Sequence, residues 1–197
     1  MIARDIKRAV FLDRDGTISP DKFGYIKDPA AYHLYPDTTK ALKILQDMGF
    51  LIFIVTNQSG IARGYLNLNQ LAAVHQKMLY LLAEGGVKPD GIYFSPYYKE
   101  GIVEPYNVHH EDRKPGIGMF RQARSEHPFD PSQSFMIGDR SSDIGFAKNA
   151  VMKSILLLTG NGQDEFESML DSCSKLCPDF ICENILCASE MIQRFYS

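Results

Sequence analysis

The sequence has no apolar run approaching the roughly 20 residues that a membrane-spanning helix needs. Its prominent apolar runs, residues 51–55 and 155–158, are short. It also lacks an excess of one charge: 21 Lys and Arg stand against 24 Asp and Glu, for a net charge of −3. That balance leaves no electrostatic footprint for nonspecific nucleic-acid binding, so no nucleic-acid partner is expected. The opening Met1-Ile2-Ala3-Arg4-Asp5 carries charge and lacks the apolar stretch of a signal peptide. A cytoplasmic protein without membrane attachment is expected, and a monomer. Repeats and low-complexity segments are missing too. Cysteine is scarce and crowded: Cys173, Cys177, Cys182 and Cys187 all lie beyond Ser172, with no Cys-x-x-Cys pair. A disulfide scaffold would spread its thiols along the chain, and zinc or redox motifs need that pair. Cys182 and Cys187 are expected to be small buried apolar filler.

What is present is ordinary globular composition, 45% apolar and 23% charged in 197 residues. A chain of this length is expected to form one domain, 1–197, able to bury roughly 70% of its unfolded surface without disulfides or structural metal.

Periodicity alternates between strand and helix. Residues 8–13 form an apolar run that ends in a carboxylate. Ala41, Ile44, Leu45 and Met48 fall at helical spacing, and Gly49 stops that helix. Residues 51–56 are continuously apolar, as in a strand buried on both faces. Leu71, Val74, Met78, Leu81 and Leu82 mark a second helix closed by Gly85-Gly86. Strands are predicted at 91–95, 134–138, 153–158 and 179–182, and helices at 116–126, 141–149 and 184–195. This alternation predicts an α/β fold with a doubly wound parallel sheet. Ligands then bind beyond the carboxyl ends of the strands, where Asp13, Thr56 and Asp139 fall.

Asp13-Arg14-Asp15-Gly16-Thr17 sets two carboxylates at i and i+2 as a strand ends, so both share one direction until the chain turns. Such a pair can bind a divalent cation and divide the work of nucleophile and general acid/base. A calcium loop is excluded, because Gly16 is fourth rather than sixth and the twelfth residue is Gly24. Thr56-Asn57-Gln58-Ser59-Gly60 offers a hydroxyl and free amides suited to phosphoryl oxygens. Arg113-Lys114-Pro115 places two cations at the mouth of a helix, another anion-binding arrangement. Gly138-Asp139-Arg140-Ser141-Ser142-Asp143 again puts carboxylates after a strand, as metal ligands require. No dinucleotide fingerprint or P-loop is complete.

Taken together and in this order, these motifs resemble the haloacid dehalogenase superfamily of phosphatases. The resemblance maps Asp13 and Asp15, Thr56, Lys114, and Asp139 with Asp143 onto its Asp-x-Asp-Gly-Thr, Thr, Lys and Gly-Asp-x-x-x-Asp elements. Within it the chain is similar to the group of D-glycero-D-manno-heptose-1,7-bisphosphate 7-phosphatases and histidinol-phosphate phosphatases, closer to the former through Gly24-Tyr25 and the long loop before Arg113. The resemblance implies a Mg²⁺-dependent phosphomonoester hydrolase with Asp13 as nucleophile and Asp15 as general acid/base. It implies Mg²⁺ on Asp13, Asp15 (by its carbonyl) and Asp139, and phosphate on Thr56, Asn57 and Lys114. Gln58, Ser59, Gly60, Arg113 and Arg140 would line the substrate pocket. Residues 16–35 and 96–113 are too short for a folded cap domain, so loops alone must choose the substrate; a small sugar bisphosphate fits, and an open site also admits a polymer end. Histidinol phosphate and 3′-phosphorylated nucleic acid remain as alternative substrates.

One departure is plain. That group usually holds zinc through Cys-Pro-His and Cys-x-Cys, where this chain reads Ser95-Pro96-Tyr97 and His110-Glu111-Asp112. Zinc is not expected, although His109, His110, Glu111 and Asp112 offer material for another metal site. Tyr93, Tyr97, Tyr98 and Tyr106 are expected to order the loop instead.

Overall fold

Short strands that are apolar on both faces need layers on both sides, and the computed structural model supplies them. The structure describes residues 7–20, 24–171 and 176–196. Six parallel strands form one sheet: β1 (Ala9–Leu12), β2 (Leu51–Asn57), β3 (Gly91–Ser95), β4 (Phe135–Gly138), β5 (Lys153–Leu157) and β6 (Phe180–Cys182), in the order β3-β2-β1-β4-β5-β6. Helices α1 (Thr38–Asp47), α2 (Leu68–Glu84), α3 (Gly118–Glu126), α4 (Ser141–Asn149), α5 (Gly162–Asp171) and α6 (Ile185–Phe195) connect and cover them. Alternation along β1 and β2 sends side chains into two separate cores. Val10, Leu12, Ile52 and Ile54 pack with α1, α2 and α6, while Phe11, Phe53 and Val55 pack with α3 and α4. Among the described residues no helix is long and apolar enough to cross a membrane.

The predicted elements are all present, with ends adjusted by local chemistry. Helix α2 starts at Leu68, ahead of its first buried apolar residue, because Asn67 and Gln70 form a reciprocal capping box. Two short 3-10 turns, Pro29–Ala31 and Pro131–Gln133, were not predicted, and neither was α5, whose face carries little apolar material; Leu170 is exposed. Its available signal was acidic, Asp164 and Glu165 in the first turn, where they favour the helix dipole. Cys182 is buried as expected, but Cys187 is exposed. The buried stripe of α6 runs through Ile185, Ala188, Ser189 and Ile192, and Cys187 is out of phase with it. Cys173 lies outside the described residues.

Strand order places the site. The chain runs β1 to β2 to β3 on one side, then returns to lay β4 on the other side of β1, and such a reversal opens a crevice at the strand ends. Leu12 pairs with Ile137, and the Asp13 N–H donates to the Ile137 carbonyl at 3.0 Å. Asp13 and Asp139 therefore leave neighbouring strands side by side. Phe11 holds this point from beneath, fully buried and in ring contact with Phe53, Phe120, Phe129 and Phe146. Phe11→Ala should cost about 3–5 kcal/mol, read as a lowered midpoint in denaturant unfolding. A loss under about 1 kcal/mol would mean that the aromatic cluster does not anchor β1.

Candidate active site

Lys114 is the centre of the site. Its ammonium is almost fully buried, and it lies 2.8 Å from Asp13 Oδ1 and 2.7 Å from Asp143 Oδ1 while donating to the Val55 carbonyl at 2.8 Å. Two hydrogen bonds and a second carboxylate at ion-pair distance compensate the charge. Asn57, at the end of β2, fixes the Lys114 peptide from both sides. Its Nδ2 donates to the Lys114 carbonyl at 3.1 Å, and its Oδ1 accepts from the Lys114 N–H at 3.0 Å.

Around this lysine gather Asp13, Asp139 and Asp143, whose ligand atoms lie within 4.8 Å of one another. Among the described residues this is the group of three or more metal-capable side chains that converges. Asp139 is fully buried; its Oδ2 accepts from the Asn161 N–H at 2.8 Å and Nδ2 at 3.1 Å, while its Oδ1 has no hydrogen-bond partner. A buried carboxylate oxygen left unpaired among two other acids is the donor chemistry that suits a hard divalent cation. Gly16, at φ +90°, runs so close to Asp139 that a Cβ there would strike its carboxylate. That collision explains the glycine in Asp13-Arg14-Asp15-Gly16-Thr17.

Asp15 also borders the cavity, yet its carboxylate belongs to a different network. Arg14 grips it bidentately, Nε to Oδ1 at 2.9 Å and Nη2 to Oδ2 at 2.7 Å. Gln58 Nε2 bridges Asp15 Oδ2 and Thr56 Oγ1, at 2.8 Å to each. The two acids consequently differ in electrostatics. Burial pushes the Asp13 carboxyl up to about 8; Lys114 opposes the shift, and Asp143, Asp139 and Asp15 add to it. Burial and then Asp143 raise Asp139 to about 6. Burial acts to raise Asp15, but the Arg14 guanidinium together with Gln58 and His75 outweighs it and holds the acid below its ordinary value.

A cavity of about 580 Å³ opens above these groups. Of the expected residues, Asp13, Asp15, Thr56, Asn57, Gln58, Ser59, Arg113, Lys114 and Arg140 line it, and Asp139 lies buried beneath. Gly60 is not among its lining residues. It packs under Leu66 and Tyr25, which a Cβ there would strike. Sequence reasoning missed Arg14, Arg63, Tyr25 and Glu165 on the walls and Asn161 behind Asp139. For Asn161 a signal existed, since Thr159-Gly160-Asn161 follows another strand end. Tyr25 meets Ser59, hydroxyl to hydroxyl, at 2.8 Å. Arg63, Arg113 and Arg140 gather along the cavity. Burial, then repulsion from Arg63 and Arg140, lowers the Arg113 pKa against the opposing influence of Tyr25 and Tyr98.

In the loop over residues 96–112 the side chains at the expected positions are engaged with one another. Tyr97 stacks on His110 with ring centroids 3.9 Å apart and planes at 14°. The Asp112 N–H donates to His110 Nδ1 at 3.2 Å, and Ser95 adds only a hydroxyl. A nitrogen already used as an acceptor, a phenol and an alcohol are a poor tetrahedral set for zinc. Tyr97 and Tyr106 are in ring contact, and the Tyr98 N–H donates to the Tyr106 carbonyl. Tyr93, expected to join them, instead packs on Phe53 in the core beneath α3 and donates to Glu126. Alternation along β3 turns it to that face.

These features define a haloacid dehalogenase-like phosphatase, and comparison with known proteins agrees. A family model described as "HAD-hyrolase-like" matches residues 112–188. The D-glycero-beta-D-manno-heptose-1,7-bisphosphate 7-phosphatase of Haemophilus ducreyi is 42% identical over 179 residues, 87% of this chain and 97% of that protein. The D-glycero-D-manno-heptose-1,7-bisphosphate 7-phosphatase of Thermosynechococcus vestitus is 37% identical, over 93% of this chain and 94% of that one. The crystal structure of D,D-heptose 1,7-bisphosphate phosphatase from B. bronchiseptica, complexed with magnesium and phosphate, superposes with a TM-score of 0.81 at 27% identity. It covers 95% of this chain and 99% of its own. The chain belongs to the D-glycero-D-manno-heptose-1,7-bisphosphate 7-phosphatase family.

The raised Asp13 pKa makes a stability prediction. Without a bound cation the folded protein keeps this proton up to about pH 8, whereas the unfolded chain loses it near 3.8. The folded state binds more protons across that window, so this group's contribution to stability falls as pH rises from about 4 to 8. Thermal unfolding in chelator should show a fall in Tm over pH 5–8 that is shallower in Asp13→Asn. Equal slopes would contradict the assignment.

Proposed function

We propose that this chain hydrolyses the 7-phosphate of D-glycero-D-manno-heptose 1,7-bisphosphate by way of an aspartyl-phosphate on Asp13. The observation that carries the reaction type is the Asp13 carboxylate held against buried Lys114 at the floor of the cavity. The substrate rests on the names of relatives that match this chain over most of both lengths.

In this reading Asp13 attacks phosphorus in line with the departing sugar oxygen. Thr56 and the Lys114 ammonium hold the equatorial oxygens as their charge develops, with Asn57 keeping Lys114 in place. Asp15 gives its proton to the leaving hydroxyl, then accepts one from the water that cleaves the acyl phosphate. Asp15 is ionised at rest because of Arg14 and Gln58, so it must collect a proton first. The anionic phosphate group beside it favours that protonation. Asp13, Asp139 and the main-chain carbonyl of Asp15 would hold Mg²⁺, the all-oxygen donor set that this ion prefers. Bound there, it neutralises the negative charge shared by the phosphate and the acids. Arg113, with Gln58, Ser59 and Arg140, holds the part of the substrate that does not react. Its single domain, 1–197, would act as a cytoplasmic monomer on a small diffusible sugar phosphate.

Steady-state assays with Mg²⁺ over heptose 1,7-bisphosphate, histidinol phosphate and a 3′-phosphorylated oligonucleotide test this choice. The bisphosphate should give the highest kcat/KM, and Asp13→Asn should remove turnover with the fold intact, because the amide keeps the shape and loses the nucleophile. Faster turnover of either other compound would overturn the substrate and leave the reaction type standing.

A further inference from the structure

Two of the cavity arginines share one aromatic ring. The guanidinium carbon of Arg63 lies 4.0 Å from the Tyr98 centroid, and that of Arg113 lies 5.1 Å from it. Arg63 comes from the loop after β2 and Arg113 from the segment that delivers Lys114, so chain connectivity does not hold them together. Their like charges push them apart. No salt bridge to either is present among the described residues. Both line the cavity that contains Asp13, and Tyr98 does not.

Tyr98 is itself firmly placed. Its N–H donates to the Tyr106 carbonyl at 2.9 Å, and its carbonyl accepts from the Gly101 N–H at 2.9 Å. The loop is pinned to the residue before Arg63: Ile102 and Val103 both donate to the Ala62 carbonyl, at 2.7 and 3.0 Å. Gly101 sits so close to Ala62 that a Cβ would strike its carbonyl. The Tyr98 hydroxyl donates to Glu100 at 2.7 Å and also interacts with Arg63. Both guanidinium carbons lie within cation–π distance of the ring, the contact the two arginines have in common. Arg113 gains one further tie, Nη1 to the Tyr97 carbonyl at 3.3 Å.

We propose that Tyr98 is a positioning residue for substrate selection: its ring holds Arg63 and Arg113 together, ready for the non-reacting phosphate of a sugar bisphosphate. The inference rests on the bisphosphate reading above. Ordering two mobile cations before binding removes an entropic cost that would otherwise weaken capture of the second anion. The reacting phosphate, held by Lys114 and Thr56, does not depend on it.

The test is steady-state kinetics of the full chain with Mg²⁺ on two substrates, heptose 1,7-bisphosphate and p-nitrophenyl phosphate, which has no second anion. Tyr98→Leu should raise KM for the bisphosphate about tenfold, with kcat changed by less than about threefold. Its kcat/KM on p-nitrophenyl phosphate should move less than about twofold. Tyr98→Phe and Tyr98→Trp, which keep an aromatic face, should restore the bisphosphate KM. Equal losses on both substrates would overturn the inference, because they would report a general structural defect. So would an unchanged bisphosphate KM in Tyr98→Leu, or a Tyr98→Phe variant as poor as Tyr98→Leu. A wild-type enzyme that prefers the bisphosphate, with Tyr98→Leu unaltered, would sink this inference alone. A wild-type enzyme with no such preference would overturn the substrate reading and this inference with it.

Discussion

The ammonium of Lys114, buried between Asp13 and Asp143, is the constraint on which the site depends. An isolated charge in that position would be prohibitively costly to desolvate, and so would either acid without it. Each partner reaches the point from a different element: Asp13 from the end of β1, Asp143 from the first turn of α4, and the Val55 carbonyl from β2. The interaction therefore exists only when β1, β2 and β4 are paired and α4 is docked. In the proposed reaction the same ammonium that opposes the upward shift of Asp13 also faces the phosphoryl oxygens, and Mg²⁺ would supply the rest of the charge that keeps Asp13 ionised. Structural and catalytic demands fall on one side chain.

The separation of the two neighbouring acids follows from that arrangement. Asp13 looks into a buried, acid-rich corner and is held high, whereas Asp15 turns to Arg14 and is held low. One carboxylate is thus kept near a cation site, and the other is kept out of it and close to Thr56 through Gln58. Different neighbours give one local motif two chemical characters, which is what a nucleophile and an acid/base partner require. Elsewhere on the cavity lining the problem is reversed. Three arginines converge, and an aromatic ring rather than a carboxylate steadies two of them, so their charge stays available to an anion.

The strand-end residues were legible in the sequence because their position follows from strand periodicity alone. Asp13, Thr56 and Asp139 each end an apolar run, and parallel-sheet topology makes those ends meet. Helix α5 was not legible, since it carries few apolar residues and owes its start to acids in the first turn. Nor was the pairing of Lys114 with Asp143, which depends on how a loop and a helix dock. Gly16 carries no local sign that Asp139 will lie against it. Arg63 was hidden for a similar reason, and Tyr98, expected only to order its loop, gave no sign that two arginines would meet its ring once residues 96–112 fold onto Ala62. The cysteine and histidine ligands missing from that loop were visible, but the Tyr97–His110 stack in their place was not, because ring geometry leaves no spacing signature.

The central claim is that Asp13 carries the phosphoryl group during turnover, and trapping that adduct tests it most directly. Enzyme mixed with excess heptose 1,7-bisphosphate and Mg²⁺, quenched within milliseconds and treated with borohydride, would convert an acyl phosphate to homoserine. Peptide mass spectrometry should then find homoserine at position 13, and not at position 15, 139 or 143. Turnover with Asp13 always recovered as unmodified aspartate, or the modification at another acid, would contradict the account.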